Sequence, residues 1–310
     1  MDLPQTGQNT LIPSSAEPGS ALRFGLLGPL TVHDATGHAL PVRSPKCRAL
    51  LAVLLLEPNR VVSRDRLTAA LWGEHPPATA ATSLNNHVVQ LRRLLGPEGP
   101  VRLRTVAPGY LLRVAVGELD TEEFTRRLDL ARAAHRQEDW WTVSRQAGAA
   151  LSGWRGTPLS DLPTLAGEAL PHVQQLHEQR LQALEWRFDA ELALGRPFGL
   201  VPELGRLTAE HPLRESFHRQ LMLALHRTDQ RAEALAVHRR LRRTLIDELG
   251  IEPGAGVRAA HQEILRSVPG PGQRPVPAFA TEPADLAAPA PDPSARDPHH
   301  LTRPPRGADR

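Results

Sequence analysis

The sequence holds a single cysteine, Cys47, so no intrachain disulfide framework and no cysteine-rich zinc site can form. Set in an apolar run, Cys47 reads as a small core residue. Lys46 is the only lysine, and nearly all positive charge is arginine, which fits codon bias in a GC-rich genome. Long apolar runs are missing: the longest, residues 49–56, falls far short of the ~20 residues that a bilayer-spanning helix needs. The first twenty residues are polar and dotted with proline, unlike a secretion signal. A soluble cytoplasmic protein without a membrane contact is expected. Motifs of catalysis are missing as well: there is no GxxxxGK[ST] loop, no GxGxxG after a strand and no HExxH. The glycines at 250, 254 and 256 flank Pro253 and read as a linker. Glu168 and His172 stand one helical turn apart, as many unremarkable pairs do, and Pro171 between them predicts a helix start or kink. Asp139-Trp140-Trp141 places two aromatics on different helix faces, one for the core and one over a neighbouring helix, with a ligand slot as the alternative. No nucleophile–base arrangement occurs. The expectation is no enzyme, no catalytic residue, no cofactor and no metal site.

What is present is enough apolar residue, 40%, to build real cores, in a chain long enough for two domains and tails. The net charge of +3 hides an asymmetry. Residues 21–116 hold 12 Arg/Lys and 5 Asp/Glu, a local charge of +7. Residues 117–267 hold 20 and 22, a charge of −2. A basic segment beside a neutral one is the electrostatic footprint of a nucleic-acid binder.

Within the basic segment, residues 79–95 carry the clearest pattern. At helical period Leu84, Val88, Leu91 and Leu95 fall on one face. Thr82, Asn85, Asn86, Val89, Gln90, Arg92 and Arg93 fall on the others, with no acidic residue among them. Amides and guanidinium groups make bidentate hydrogen bonds to base edges, and arginine also neutralises phosphate. A helix buried on one side and acid-free on the other suits a DNA major groove. The plain alternative is an amphipathic helix that merely lacks acids.

The flanks add context. Residues 22–27 and 30–32 read as short strands around Gly28-Pro29, with a third possible at 40–42. Ser44-Pro45 starts a helix that runs to about Glu57, since serine caps and proline suits the first turn. Ser63 caps a second helix with Asp65 in its first turn and Leu67, Leu71 and Trp72 as its buried stripe. Gly96 stops the third helix. Residues 101–106 alternate apolar and polar like a half-exposed strand, Pro108-Gly109 turns, and residues 110–114 return as its partner. Strands, three helices and a hairpin make a winged helix, with the third helix in the major groove and the hairpin beside the backbone.

Three segments carry a family likeness: Ser63-Arg-Asp-Arg-Leu67…Leu71-Trp-Gly73; Leu84-Asn-Asn-His-Val88-Val-Gln-Leu91-Arg-Arg-Leu-Leu95; and Thr105-Val106…Gly109-Tyr110. Together they resemble the DNA-binding domain of OmpR/PhoB-type response regulators. The resemblance implies base readout by Asn85, Asn86, Val89 and Gln90. It implies phosphate or wing contacts by Thr82, Arg92, Arg93, Arg64, Arg102, Arg104 and Thr105. His87 matches a common histidine of such helices and reads as a contact to the wing or to phosphate. The loop that includes Trp72, Gly73, Glu74 and His75 corresponds to the one implicated in touching RNA polymerase in activators of this type; a plain connector is the other reading. One departure stands out: many relatives carry arginine after the Thr-Val pair, where this chain has Ala107, which puts minor-groove readout there in doubt.

Gly117-Glu-Leu-Asp120 marks a boundary. Helices are predicted at 121–136, 139–151, 165–194, 199–210, 213–227, 230–248 and 255–267, punctuated by Gly195, Gly250 and Pro253-Gly254. Ala232-Glu-Ala-Leu-Ala-Val-His238 has the small-residue rhythm of a tetratricopeptide-type helix. His211-Pro-Leu-Arg-Glu215, residues 221–227 and Glu248-Leu-Gly-Ile-Glu-Pro-Gly254 resemble the bacterial transcriptional activation domain. Winged helix plus this domain is similar to the SARP group, actinobacterial regulators of antibiotic clusters. The expected fold is therefore mainly α with a small β component: a disordered tail at 1–20, a winged helix-turn-helix at 21–116, an all-α TPR-like domain at 117–268 and a disordered Pro/Ala-rich tail at 269–310. His299-His300 in that tail reads as a solvated pair.

The resemblance implies a sequence-specific activator of a secondary-metabolite cluster. It would bind direct repeats in promoter DNA, as a homodimer there, and recruit RNA polymerase through its sigma or alpha subunits. A helical-repeat adaptor that docks on protein, and a repressor on the same fold, are the rival readings.

Overall fold

Ser44 accepts a hydrogen bond from the Cys47 N–H (3.4 Å) and Pro45 fills the first turn, so α1 runs over Pro45–Leu56. Ser63 caps α2, Arg64–Trp72, from Arg66 N–H at 3.2 Å. Helix α3 spans Ala80–Leu94, with Leu84, Val88 and Leu91 buried. The computed structural model describes residues 22–266; the expected tails at 1–20 and 269–310, and His299-His300, lie outside the described residues.

Before these helices, β1 (Arg23–Gly25) and β2 (Thr31–His33) pair antiparallel. The expected third strand at 40–42 reduces to one bridge between His33 and Ala39. β3 (Val61–Ser63) lies beside β5 (Gly109–Leu112), which in turn pairs with β4 (Leu103–Val106), all antiparallel. Gly109 is required where it stands, because a Cβ there would overlap the Val62 carbonyl. The strand expected over 101–106 is shorter. Its start is a single helical turn, α4 (Gly99–Arg102), with Pro100 at its head. Gly99 packs so closely on the Arg92 carbonyl that no side chain fits. Val101 is exposed, so the apolar–polar alternation there does not record a buried face.

The second half is helical: α5 (Asp120–Arg136), α6 (Trp140–Leu151), α7 (Ala166–Ala193), α8 (Leu200–Glu210), α9 (Glu215–Arg227), α10 (Arg231–Leu249) and α11 (Ala255–Arg266). α5 packs on α6 and α6 on α7, while α9 touches α8, α10 and α11. Pro171 does not start α7; it sits inside the helix, in its second turn, where its missing N–H forgoes one backbone bond. The fold is mainly α with a small β component, as the residues predict.

Three features join the halves. A continuous apolar core runs from Phe24, Leu50 and Leu54 of the first to Leu159, Leu162, Leu165 and Ala169 of the second. The Asp120 carboxylate accepts the Leu26 and Leu27 amides at 2.8 and 3.0 Å and faces Arg155 at 3.2 Å. Asp161 accepts the Leu30 amide at 2.9 Å and pairs with Arg48.

Candidate nucleic-acid interface

The outward face of α3 is built by helical period. At about 100° per residue, Thr82, Asn86, Val89 and Arg93 share one narrow outward stripe. All four are exposed. Asn85 and Arg92 lie on the edge toward the wing, and His87 and Gln90 on the edge toward α1. The buried stripe of Leu84, Val88, Leu91 and Leu95 is opposite, each 1–2% exposed. No side chain caps α3 and its first turn has no acid, so no carboxylate of its own meets its N-terminus.

Neighbouring elements hold both edges. On the wing side the Tyr110 hydroxyl donates to Asn85 Oδ1 at 2.6 Å. The Arg64 guanidinium lies 5.4 Å from the Tyr110 ring centroid, so α2, the wing and α3 meet at this tyrosine. On the other side the Cys47 thiol donates to Gln90 Oε1 at 3.0 Å and lies 3.5 Å from His87 Nδ1. Burial pushes the Cys47 thiol up, away from thiolate. It is a neutral donor that orients Gln90.

The expected phosphate contacts divide. Arg93 on α3 and Arg104 on β4 are exposed and have no ion-pair partner among the described residues. Arg64 is exposed as well. Arg92 is committed to the wing: it donates to the Leu103 carbonyl at 2.8 Å and to Thr105 Oγ1 at 2.9 Å. Thr105 is exposed beside it.

Arg102 is a correction. It belongs to α4, not to a half-exposed strand, and its side chain is 13% exposed. It grips Glu118 through two bonds of 2.8 and 2.9 Å and Glu98 through one of 2.9 Å. These partners raise the guanidinium above its ordinary range, Glu118 most of all. Glu118, 6% exposed, needs that charge. Arg102 thus fixes the wing to the linker and offers nothing to phosphate.

The loop after α2 also differs in part. Trp72 is the last residue of α2 and half-buried; its ring lies 6.4 Å from that of His87, with Lys46 Nζ 5.2 Å away. Gly73 closes the helix at φ 68°, its N–H on the Ala69 carbonyl at 2.7 Å. Gly73, Glu74 and His75 are exposed, as is the rest of the loop up to Thr79. Ala107 stands exposed in the wing turn.

Sequence reasoning missed Tyr110 and Cys47 as holders of Asn85 and Gln90, and it missed Arg43. That exposed arginine lines a small cleft with Ser44, Cys47 and Gln90. The register of α3 against α1 and the wing, which no local pattern encodes, brings them together.

A helix with a polar outward face, braced by a wing and followed by a helical domain, defines a winged-helix DNA-binding transcriptional regulator. Residues 41–112 match the family described as transcriptional regulatory protein, C terminal, and residues 119–265 match the bacterial transcriptional activator domain. The regulatory protein DnrI of Streptomyces peucetius is 38% identical over 258 residues, covering 80% of this chain and 94% of DnrI. The regulatory protein AfsR of Streptomyces coelicolor is 41% identical over 266 residues, 83% of this chain and 25% of AfsR. The transcriptional regulatory protein EmbR of Mycobacterium tuberculosis is 40% identical over 261 residues, 82% of this chain. The match spans 66% of EmbR, so about a third of that relative has no counterpart in it. The solved structure of EmbR in complex with a low affinity phosphopeptide superposes with a TM-score of 0.74 at 38% identity, covering 80% of this chain and 65% of that one. The chain belongs to the SARP family of transcriptional regulators. Among the described residues no helix is long and apolar enough to cross a membrane.

Proposed function

We propose that this regulator activates a biosynthetic gene cluster for a secondary metabolite by reading promoter DNA with the outward face of α3. The observation that carries the reading is the acid-free stripe from Thr82 to Arg93, with Asn85 and Gln90 held at its edges by Tyr110 and Cys47. A major groove about 12 Å wide admits such a helix. Asn86, Val89, Asn85 and Gln90 face base edges. Thr82, Arg93, Arg64, Arg104 and Thr105 take phosphates, Arg92 sets the wing against the helix, and Arg43 adds a cation nearby.

Two copies bind side by side on direct repeats about 10–10.5 bp apart, one turn of duplex, so that both helices meet the same face. The exposed Gly73–His75 loop and the helical domain contact RNA polymerase. The protein acts in the cytoplasm. DNase footprinting of promoters beside the encoding gene, followed by anisotropy titration at two salt concentrations, tests this. The expected outcome is a protected pair of direct repeats, with binding that weakens steeply as salt rises because each neutralised phosphate releases counterions. In vitro transcription with purified polymerase then distinguishes an activator, which raises product from that promoter, from a repressor. No protection of any neighbouring promoter at low salt contradicts the reading.

A further inference from the structure

A cavity of about 480 Å³ opens where the winged helix meets the helical domain. That volume lies within the roughly 300–1,000 Å³ of small-molecule sites. Leu26, Leu55 and Leu56 form one wall, from β1's exit and the end of α1; Leu119 and Leu176 form the other, from the start of α5 and from α7. The lining is mostly apolar.

Its polar groups are unevenly committed. Arg126 is held by Glu123 through two bonds of 2.8 Å, and Asp129 by Arg132 at 3.0 Å. Glu122 lines the same space and has no hydrogen-bond or ion-pair partner among the described residues. Burial, and then the charge of Glu118, push its carboxyl up. His172 also lines the cavity, and its Nδ1 is buried without a partner among the described residues. A half-buried carboxylate with no direct partner and an orphaned imidazole nitrogen are costly beside the leucines of this cavity.

We propose that this cavity binds an organic cation, a ring-bearing amine whose apolar body packs on the leucines and whose ammonium group meets Glu122. Both halves of the molecule supply walls, so the occupant favours the closed seam over any opened one. Filling the site would thereby couple the chemistry of a small molecule to the placement of the DNA-reading half. Arg126 stands at the open rim, more than half exposed and sharing the Glu123 carboxylate with Arg127, so the apolar wall offers an anion no buried cation.

The test needs no DNA, so it stands apart from the reading of α3. The full chain is titrated by calorimetry with three matched probes: 2-naphthylmethylamine, 2-naphthylmethanol and 2-naphthylacetate. The expected result is saturable one-to-one binding of the amine, at least tenfold tighter than the acetate, with a raised melting temperature. Glu122→Gln, on a half-exposed helix face, folds as before and brings the amine down to the alcohol. Leu56→Trp, which fills the cavity from its rim, abolishes binding of all three. Absence of saturable amine binding to the unaltered chain, equal affinity for amine and acetate, or an amine preference that survives Glu122→Gln overturns the proposal.

Discussion

Tyr110 shows how much one hydroxyl can decide. The ring is 2% exposed and belongs to the wing's core face, yet its oxygen reaches Asn85 at 2.6 Å. Tyr110→Phe keeps the ring and releases Asn85. A hydrogen bond of this kind contributes roughly 0.5–1.5 kcal/mol, so affinity for the preferred site falls about 2- to 10-fold. Anisotropy titration on preferred and scrambled duplexes checks it; an equal loss on both contradicts the positioning role. Arg102 and Arg104 separate in the same way. Arg102→Ala leaves the buried Glu118 unpaired and costs on the order of 3–5 kcal/mol of stability in urea denaturation. Arg104→Ala leaves stability within about 0.5 kcal/mol and weakens binding to all sequences alike, lowering the salt slope by about 1. Which residues of α3 are exposed was readable from spacing alone. The commitment of Arg102 was not, because Glu118 lies sixteen positions away in the linker and only the folded hairpin brings it near.

Elements were more readable than contacts. The stripe Leu84, Val88, Leu91 and Leu95 declares α3 because a 3.6-residue period has one buried side. Serines 44 and 63 declare two helix starts by the caps that they form. Where local pattern misled, tertiary packing won: Gly99 and Pro100 fold back on α3 as a turn of helix, and α7 carries Pro171 inside it although that forgoes a backbone hydrogen bond. The two faces of α3 predict a sharp contrast. Leu91→Ala creates a void in the core and costs about 2–5 kcal/mol. Val89→Ala, one face away and 41% exposed, changes stability by less than about 0.5 kcal/mol. Thermal melts of the two variants decide; equal losses contradict the assignment of faces.

At the scale of the whole molecule, the winged helix and the helical domain share one core and two carboxylate clasps. Asp120 reaches back more than ninety residues to Leu26 and Leu27, and Asp161 reaches 131 residues to Leu30. Contacts over such separations leave no mark in local sequence. Burial pushes the Asp120 carboxyl up, against the pull of the two amides and Arg155. Its folded value therefore lies above its unfolded one, so the native state keeps a proton that the unfolded chain has lost. The contribution is present at acid pH below the unfolded value and is lost as pH rises through the folded value. Asp120→Asn removes that slope, and urea melts across the acid range show it; an unchanged slope contradicts the assignment.

The most direct measurement is binding-site selection from random duplex DNA with the full chain, alongside Asn86→Ala and Gln90→Ala. The expected result is a relaxed preference at one or two adjacent base pairs in each variant, with flanking positions retained and non-specific affinity unchanged. A selected sequence identical to that of the unaltered protein in both variants would show that the outward face of α3 does not read bases.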